Sequence, residues 1–157
     1  MLAFIRERNT SQSVIDTFDR LYGSLGELTF RALFPLLLAD NGSEFSNPLK
    51  LEFDSTGNRR TMVFYCDPNA PFQKPHVEYS HEFIRRILPK GTSFDNLEQS
   101  DVNLMMSHIN SYPRKKLSNK APFDLFTFIY GYGILEKLGM SKIPPNEILL
   151  KPALLKK

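Results

Sequence analysis

The sequence predicts an α/β fold, because short apolar runs with strand composition alternate with segments whose apolar residues recur at helical spacing. Residues 33–39 and 61–66 are short and rich in apolar and strand-forming residues. Residues 10–25 and 75–88 each place their apolar residues on one helical face. The chain has 157 residues, 41% hydrophobic and 24% charged, which is enough for one domain with a packed core.

The first elements are predicted to be a short strand over residues 2–6 and a helix over 10–25. Asn9, with Gln12 three positions later, resembles a helix start. The apolar face of the helix ends at Gly26, a residue common at helix C-termini.

Residues 33–39 are continuously apolar, which is typical of a strand buried on both faces. Asp-Asn-Gly follows at 40–42 and predicts a sharp turn, since Asn and Gly tolerate positive φ. Asn47 before Pro48 predicts a short helix to about Asp54.

The second half is predicted to be mainly helical. The Pro-rich segment 67–75 reads as a loop, and residues 131–157 look looser than the rest. Three helices are predicted between them: from Pro75 to about Leu88, from Ser100 to before Pro113, and from Pro122 through Ile129.

Composition excludes several classes of protein. No apolar run reaches the roughly 18–20 residues that span a bilayer, and the N-terminus is no signal peptide, so we expect a cytoplasmic protein without membrane contact. A single cysteine, Cys66, permits no internal disulfide, and the three histidines lack zinc-site spacing. Cys66 lies in an apolar strand, which favours an inert buried thiol over a Cys–His nucleophile.

Two carboxylates stand out by their settings. Asp40 ends the apolar run 33–39, where a strand would fix the carboxylate and the turn would open it to solvent. Glu78 lies early in the helix that starts at Pro75. Alone, each has a structural explanation: Asp-Asn-Gly makes tight turns, and acids favour helix N-termini. Together they suit Mg²⁺, which prefers oxygen ligands and supports phosphodiester chemistry.

Basic residues cluster around Glu78 and farther along the chain. The net charge is +3, and such clusters either neutralise phosphates or form a solvated surface. The candidate phosphate contacts are Lys74, Arg85, Arg86, Lys90, Arg114, Lys115 and Lys116.

Four segments, in this order, resemble the C-terminal half of a transposase catalytic core of the insertion-sequence-thirty family, within the retroviral-integrase superfamily. They are ADNGSEFSNP, FYCDPNAPFQKPHVE, HEFIRRILPKGTSFD and HINSYPRKKL, within residues 1–130. The sequence departs from the family pattern at Pro75, where the family has Gly, and at Ala39, where it commonly has Thr.

The resemblance implies an RNase H-like fold (the integrase catalytic core) in which Asp40 and Glu78 are the second and third acids of a DDE site holding Mg²⁺ or Mn²⁺. The first acid belongs on strand one. Residues 2–6 would match strand three, so strands one and two and the first acid are expected to be missing, as in a core truncated at its N-terminus. Asp16 and Asp19 cannot replace that acid, because they lie on a predicted helix.

We therefore expect a partial catalytic core over 1–130 and a C-terminal extension over 131–157. In the full enzyme, this catalytic core would carry out DNA integration and transposition, acting on transposon ends and target DNA. With an incomplete metal site, the chain alone is expected to be inactive. One alternative is a non-catalytic remnant that binds DNA, or that associates with itself or with full-length transposase through an exposed strand edge. Another alternative is an unrelated α/β interaction domain.

Overall fold

The computed structural model describes residues 1–68, 71–73 and 75–155, without the side chains of residues 71 and 75–78. It consists mostly of helices, with a small two-stranded sheet, so the predicted α/β class is confirmed at this level. The chain divides into two compact units, one formed by Arg6–Lys74 and the other by Met1–Ile5 with Pro75–Lys157. The predicted division at residue 130 stays a prediction.

The first unit begins with helix α1, Ser11–Leu25. Thr10, not Asn9, is its N-cap, in a capping box with Ser13. Gly26 ends α1 at φ 80°, as predicted, and a second helix that the sequence analysis missed, α2 (Glu27–Leu33), follows at once. Helix α2 has seven residues, of which only Phe30 is buried, and so short a segment gives little periodic signal.

The sheet consists of β1 (Leu36–Ala39) and β2 (Met62–Tyr65), paired in parallel with Leu36 opposite Met62. Helix α3, Pro48–Glu52, lies between them in sequence, with Asn47 as its predicted N-cap. On one face of the sheet, Val63 packs against a small core formed by Val14, Ile15 and Leu51 of the helices.

The prediction that β1 is buried on both faces is wrong. Leu36 and Leu38 are 52% and 42% exposed, and Met62 and Phe64 opposite them are 42% and 51% exposed. The cause is the size of the sheet: β1 pairs only with β2 in the described part of the chain, and the helices of this unit pack on the other face. A run of leucines does not reveal whether a second layer covers it.

The prediction of a strand at residues 2–6 is also wrong, and with it the match to strand three. This segment contains no strand, because side chains of a helix, not another strand, bind its backbone. Gln99 accepts from the Ile5 amide at 2.9 Å and donates to the Ala3 carbonyl at 3.1 Å. Asn110 donates to the Met1 carbonyl at 2.7 Å.

The second unit is helical. Its core joins Phe83 and Ile87 to Met105, Met106 and Ile109. Three helices confirm the predicted segments: α4 (Pro75–Ile87), α5 (Gln99–Ser111) and α6 (Pro122–Tyr130). The N-cap of α5 is Glu98 and not Ser100. A fourth helix, α7 (Gly133–Lys137), was not predicted. Within the described residues, no helix has the length and apolar character needed to cross a bilayer.

The segment after α7 is held by buried polar side chains of α5. Ser107 and Ser111 accept from the amides of Ser141 and Ile143, and His108 Nδ1 accepts from Leu149 N at 3.1 Å. Burial lowers the pKa of His108, against an opposing effect of Glu147, so the neutral ring that can accept this bond is favoured. The expectation that residues 131–157 are loose therefore does not hold for this stretch.

Candidate functional site

Asp40 lies where β1 ends, and its side chain is exposed. Its Oδ1 accepts from the Gly42 amide at 3.4 Å, and Asn41 Nδ2 donates to the Cys66 carbonyl at 3.0 Å. The predicted turn is present, but Gly42 has φ −66° and the chain turns here without a left-handed residue. The turn thus fixes the backbone of Asp40 against the end of β2.

Glu78 lies in the first turn of α4, as predicted. Its side chain is outside the described residues, and so is the whole of Lys74. Asp40 and Glu78 belong to different compact units. Their convergence on one metal ion therefore stays a prediction.

The donor chemistry of Asp40 fits a hard cation, since an exposed carboxylate supplies the oxygen ligands that Mg²⁺ and Mn²⁺ prefer. Within the described part of the chain, no three His, Cys, Asp or Glu residues converge as a metal-binding group. Asp40 is thus suited to be one ligand of a site that needs further acids.

Asp67 is an acid close to the end of β2 that the sequence analysis did not single out. It lies two residues after β2, with Cys66 between them, whereas Asp40 directly follows β1; the carboxyl ends of the two parallel strands lie at one edge of the sheet. Its Oδ2 accepts from Gln73 Nε2 at 2.8 Å, and its amide donates to Gln73 Oε1 at 2.9 Å. Its position directly after a predicted strand was the signal that could have found it.

Cys66 is 6% exposed, which confirms the prediction of a buried thiol. Its amide donates to the Ala39 carbonyl at 2.9 Å and continues the parallel ladder. Its place is therefore structural: it extends the pairing that holds the two strand ends together.

The structure brings the two predicted basic clusters together in the second unit. Arg86 of α4 and Arg114 lie over the ring of Phe83, with Cζ 5.1 and 5.0 Å from its centroid. Arg114 and Lys116 also lie over Tyr79, at 5.9 and 5.6 Å. Cations and aromatic faces attract one another, so α4 and residues 114–116 form one basic, aromatic surface. The exposed candidates among the cations of this unit are Arg85, Arg86, Lys90, Lys115 and Lys116.

Three curated relatives illustrate the similarity to known proteins. "Putative integrase ORF3" of Spiroplasma virus SpV1-R8A2 B is 32% identical over 90 residues, 57% of this chain and 27% of the viral protein. The transposase for insertion sequence element IS1086 of Cupriavidus metallidurans is 32% identical over 89 residues, 57% of this chain and 25% of the transposase. The transposase InsI for insertion sequence element IS30A of Escherichia coli K12 is 33% identical over 86 residues, 55% of this chain and 21% of InsI.

No protein-family model and no solved structure matches this chain. The chain spans about a quarter of the length of the curated relatives it matches. The predicted resemblance is nevertheless confirmed: over about half of its length, the chain is similar to insertion-sequence transposases, those of IS30 elements among them, and to a viral integrase.

Proposed function

We propose that this chain is a segment of the catalytic region of a DNA transposase or integrase, with an RNase H-like arrangement of its strands and helices. The similarity to three proteins named as transposases or integrase carries the proposal. Two features support it: a carboxylate directly after the first of two parallel strands, and an acid in the first turn of a later helix.

Within that function, Asp40 and Glu78 would hold Mg²⁺ or Mn²⁺. The bound metal would polarise a phosphodiester and stabilise the charge that develops on its oxygens during cleavage and strand transfer. Asp40 contributes an exposed carboxylate as a metal ligand. The hydrogen bond from the side chain of the next residue, Asn41, to the Cys66 carbonyl holds the turn that carries it. The resemblance calls for a third acidic ligand, so we propose that these two acids bind metal without completing a catalytic site.

The partner of this site would be DNA, bound through its phosphates by the basic surface of the second unit. Arg85, Lys90 and Lys115 are exposed, and Arg86 and Lys116 are exposed cations set on aromatic rings. Contacts to phosphates position a duplex without reading its sequence. Arg114 differs from these five cations because part of its guanidinium is sealed from solvent.

The salt dependence of DNA affinity tests this surface. If it neutralises phosphates, log K should fall linearly with log salt, and the double variant Arg85→Gln/Lys90→Gln should reduce that slope by about 2 on any duplex. The variant Lys137→Gln/Lys151→Gln removes the same charge from exposed positions on and after α7 and should leave the slope unchanged. An equal decrease of the salt slope in both double variants would show that DNA affinity depends only on net charge and not on this surface.

A second candidate function is association with another copy of this chain or with a full-length transposase, favoured by the edge of β1. Hydrogen bonds from Met62 to Pro35 and from Cys66 to Ala39 direct the Leu36 and Leu38 backbone groups away from β2. Within the described residues, nothing pairs with that edge. The outer edge of β2 differs, since Glu52 accepts from the Val63 amide at 2.9 Å. An open edge beside four exposed apolar side chains is a template for strand addition.

Sedimentation velocity over a range of concentrations tests this association. We expect a monomer–dimer equilibrium that Leu38→Lys abolishes, because the lysine would place a charge in the new interface. Leu28→Lys, at a position on α2 that is 85% exposed, should leave the equilibrium unchanged. A chain that sediments as a monomer at every concentration would remove this candidate.

A further inference from the structure

Arg114 occupies an unusual place among the cations of the second unit. Its backbone is fixed on both sides, since its amide donates to the Lys120 carbonyl at 3.1 Å and its carbonyl accepts from Leu117 and Asn119 at 2.9 and 3.1 Å. Its guanidinium therefore projects from a rigid turn.

The guanidinium is packed on two rings of one face of α4. Arg114 Cζ lies 5.0 Å from the centroid of Phe83 and 5.9 Å from that of Tyr79. The two rings meet edge to face, with their centroids 5.2 Å apart, and Phe83 is a core residue with 3% of its surface exposed. The planar cation thus joins the turn at 114 to the first half of α4.

Two nitrogens of this group, Nε and Nη2, are buried and form no hydrogen bond with any described residue. Buried donors without a hydrogen-bond partner are rare in folded proteins. Because these atoms are sealed from solvent, they are not placed as the exposed cations are to contact a phosphate. Desolvation also lowers the pKa of Arg114, although Tyr79 opposes this effect.

Tyr79 directly follows Glu78 in the first turns of α4. Whatever holds Tyr79 also fixes the backbone of Glu78, since consecutive residues of a helix share the same turn. Lys116 adds a second cation, with Nζ 5.6 Å from the centroid of the Tyr79 ring. The contacts at Tyr79 therefore act next to the proposed metal ligand.

We propose that Arg114 is a positioning residue, which stacks on Tyr79 and Phe83 and thereby fixes the turn of α4 that carries Glu78. This inference rests on the proposed function of Glu78. It assigns to Arg114 a role that a lysine cannot fill, because an ammonium group lacks the planar face that stacks on a ring.

Hydrogen–deuterium exchange of the whole chain, with and without Mn²⁺, tests the proposal. In Arg114→Lys, which keeps the charge, the amides of residues 79–84 should exchange about tenfold faster, while those of 102–109 in α5 stay at wild-type rates. Mn²⁺ affinity should fall about tenfold, as it does when groups that orient metal ligands are lost. Lys137→Met, which removes an exposed charge on α7, should change neither.

A different result would show Arg114 to be a phosphate contact. In that case Arg114→Lys would leave the exchange of α4 at the wild-type rate, while Arg114→Met would reduce the salt slope of DNA binding by about 1. If Arg114→Met fails to fold, the exchange pattern of Arg114→Lys still distinguishes a positioning residue from a phosphate contact. If Glu78→Gln leaves Mn²⁺ affinity unchanged, the proposed role of Glu78 fails, whereas wild-type exchange in Arg114→Lys overturns only the present inference.

Discussion

Replacing Arg60 with Met is expected to destabilise the unit formed by Arg6–Lys74 by about 3 kcal/mol, because one buried and two partly buried acceptors would lose a charged donor. Arg60 is 2% exposed and joins three parts of this unit. Its Nε and Nη2 donate to the carbonyls of Leu51 and Lys50 in the last turn of α3, at 3.0 and 2.9 Å. Its Nη1 donates to Asp19 of α1 at 2.6 Å.

The neighbouring Arg59 provides a matched control. It pairs with Glu52 at 3.3 Å, but its side chain is 55% exposed, and such pairs contribute about 0–1 kcal/mol. Urea unfolding of Arg59→Met and Arg60→Met compares the two losses in one background. Equal midpoints would contradict the role assigned to Arg60.

The elements that the sequence predicted well are those with strong local signals. Helix α1 shows a long apolar face, and the Asn47–Pro48 start of α3 acts within a few residues. The misses depend on tertiary context. The Met1–Ile5 segment has strand-like composition, but its backbone binds Gln99 and Asn110, which lie some hundred positions away. Leu36 and Leu38 look like buried strand residues, but within the described part of the chain one face of their sheet is uncovered.

For the candidate site too, the parts with local sequence signals were predictable and the parts that depend on tertiary contacts were not. The turn after β1 and the helix that carries Glu78 follow from Asp-Asn-Gly and from Pro75, both local signals. The contacts of Arg114 were not predictable, because its place on Tyr79 and Phe83 depends on the packing of α4 against the chain after α5. A motif identifies a basic cluster but does not tell which of its cations are exposed.

The second large effect concerns metal binding. If Asp40 and Glu78 hold one ion, removing either carboxylate should weaken Mn²⁺ affinity about tenfold or more, since losing a ligand costs at least as much as losing a group that orients one. Asp40→Asn and Glu78→Gln keep the size of each side chain while removing its charge. Asp16→Asn on α1 and Glu136→Gln on α7 make the same changes at other exposed positions and should have no effect.

The double variant Asp40→Asn/Glu78→Gln tests whether the two acids bind the same ion. Ligands of one ion are coupled, so their losses should not add: once one carboxylate is gone, removing the second should cost little more. Two independent weak sites would behave differently, with each single variant losing one site and retaining the other. The comparison therefore tests convergence across the two compact units.

The most direct measurement is a Mn²⁺ titration of the intact chain, followed by the electron paramagnetic resonance signal of the free ion, for wild type, both single variants and the double variant. The account predicts one ion per chain, weakened about tenfold or more by either substitution, with non-additive losses in the double variant. Wild-type affinity in Asp40→Asn and Glu78→Gln, or additive losses at two separate sites, would contradict it.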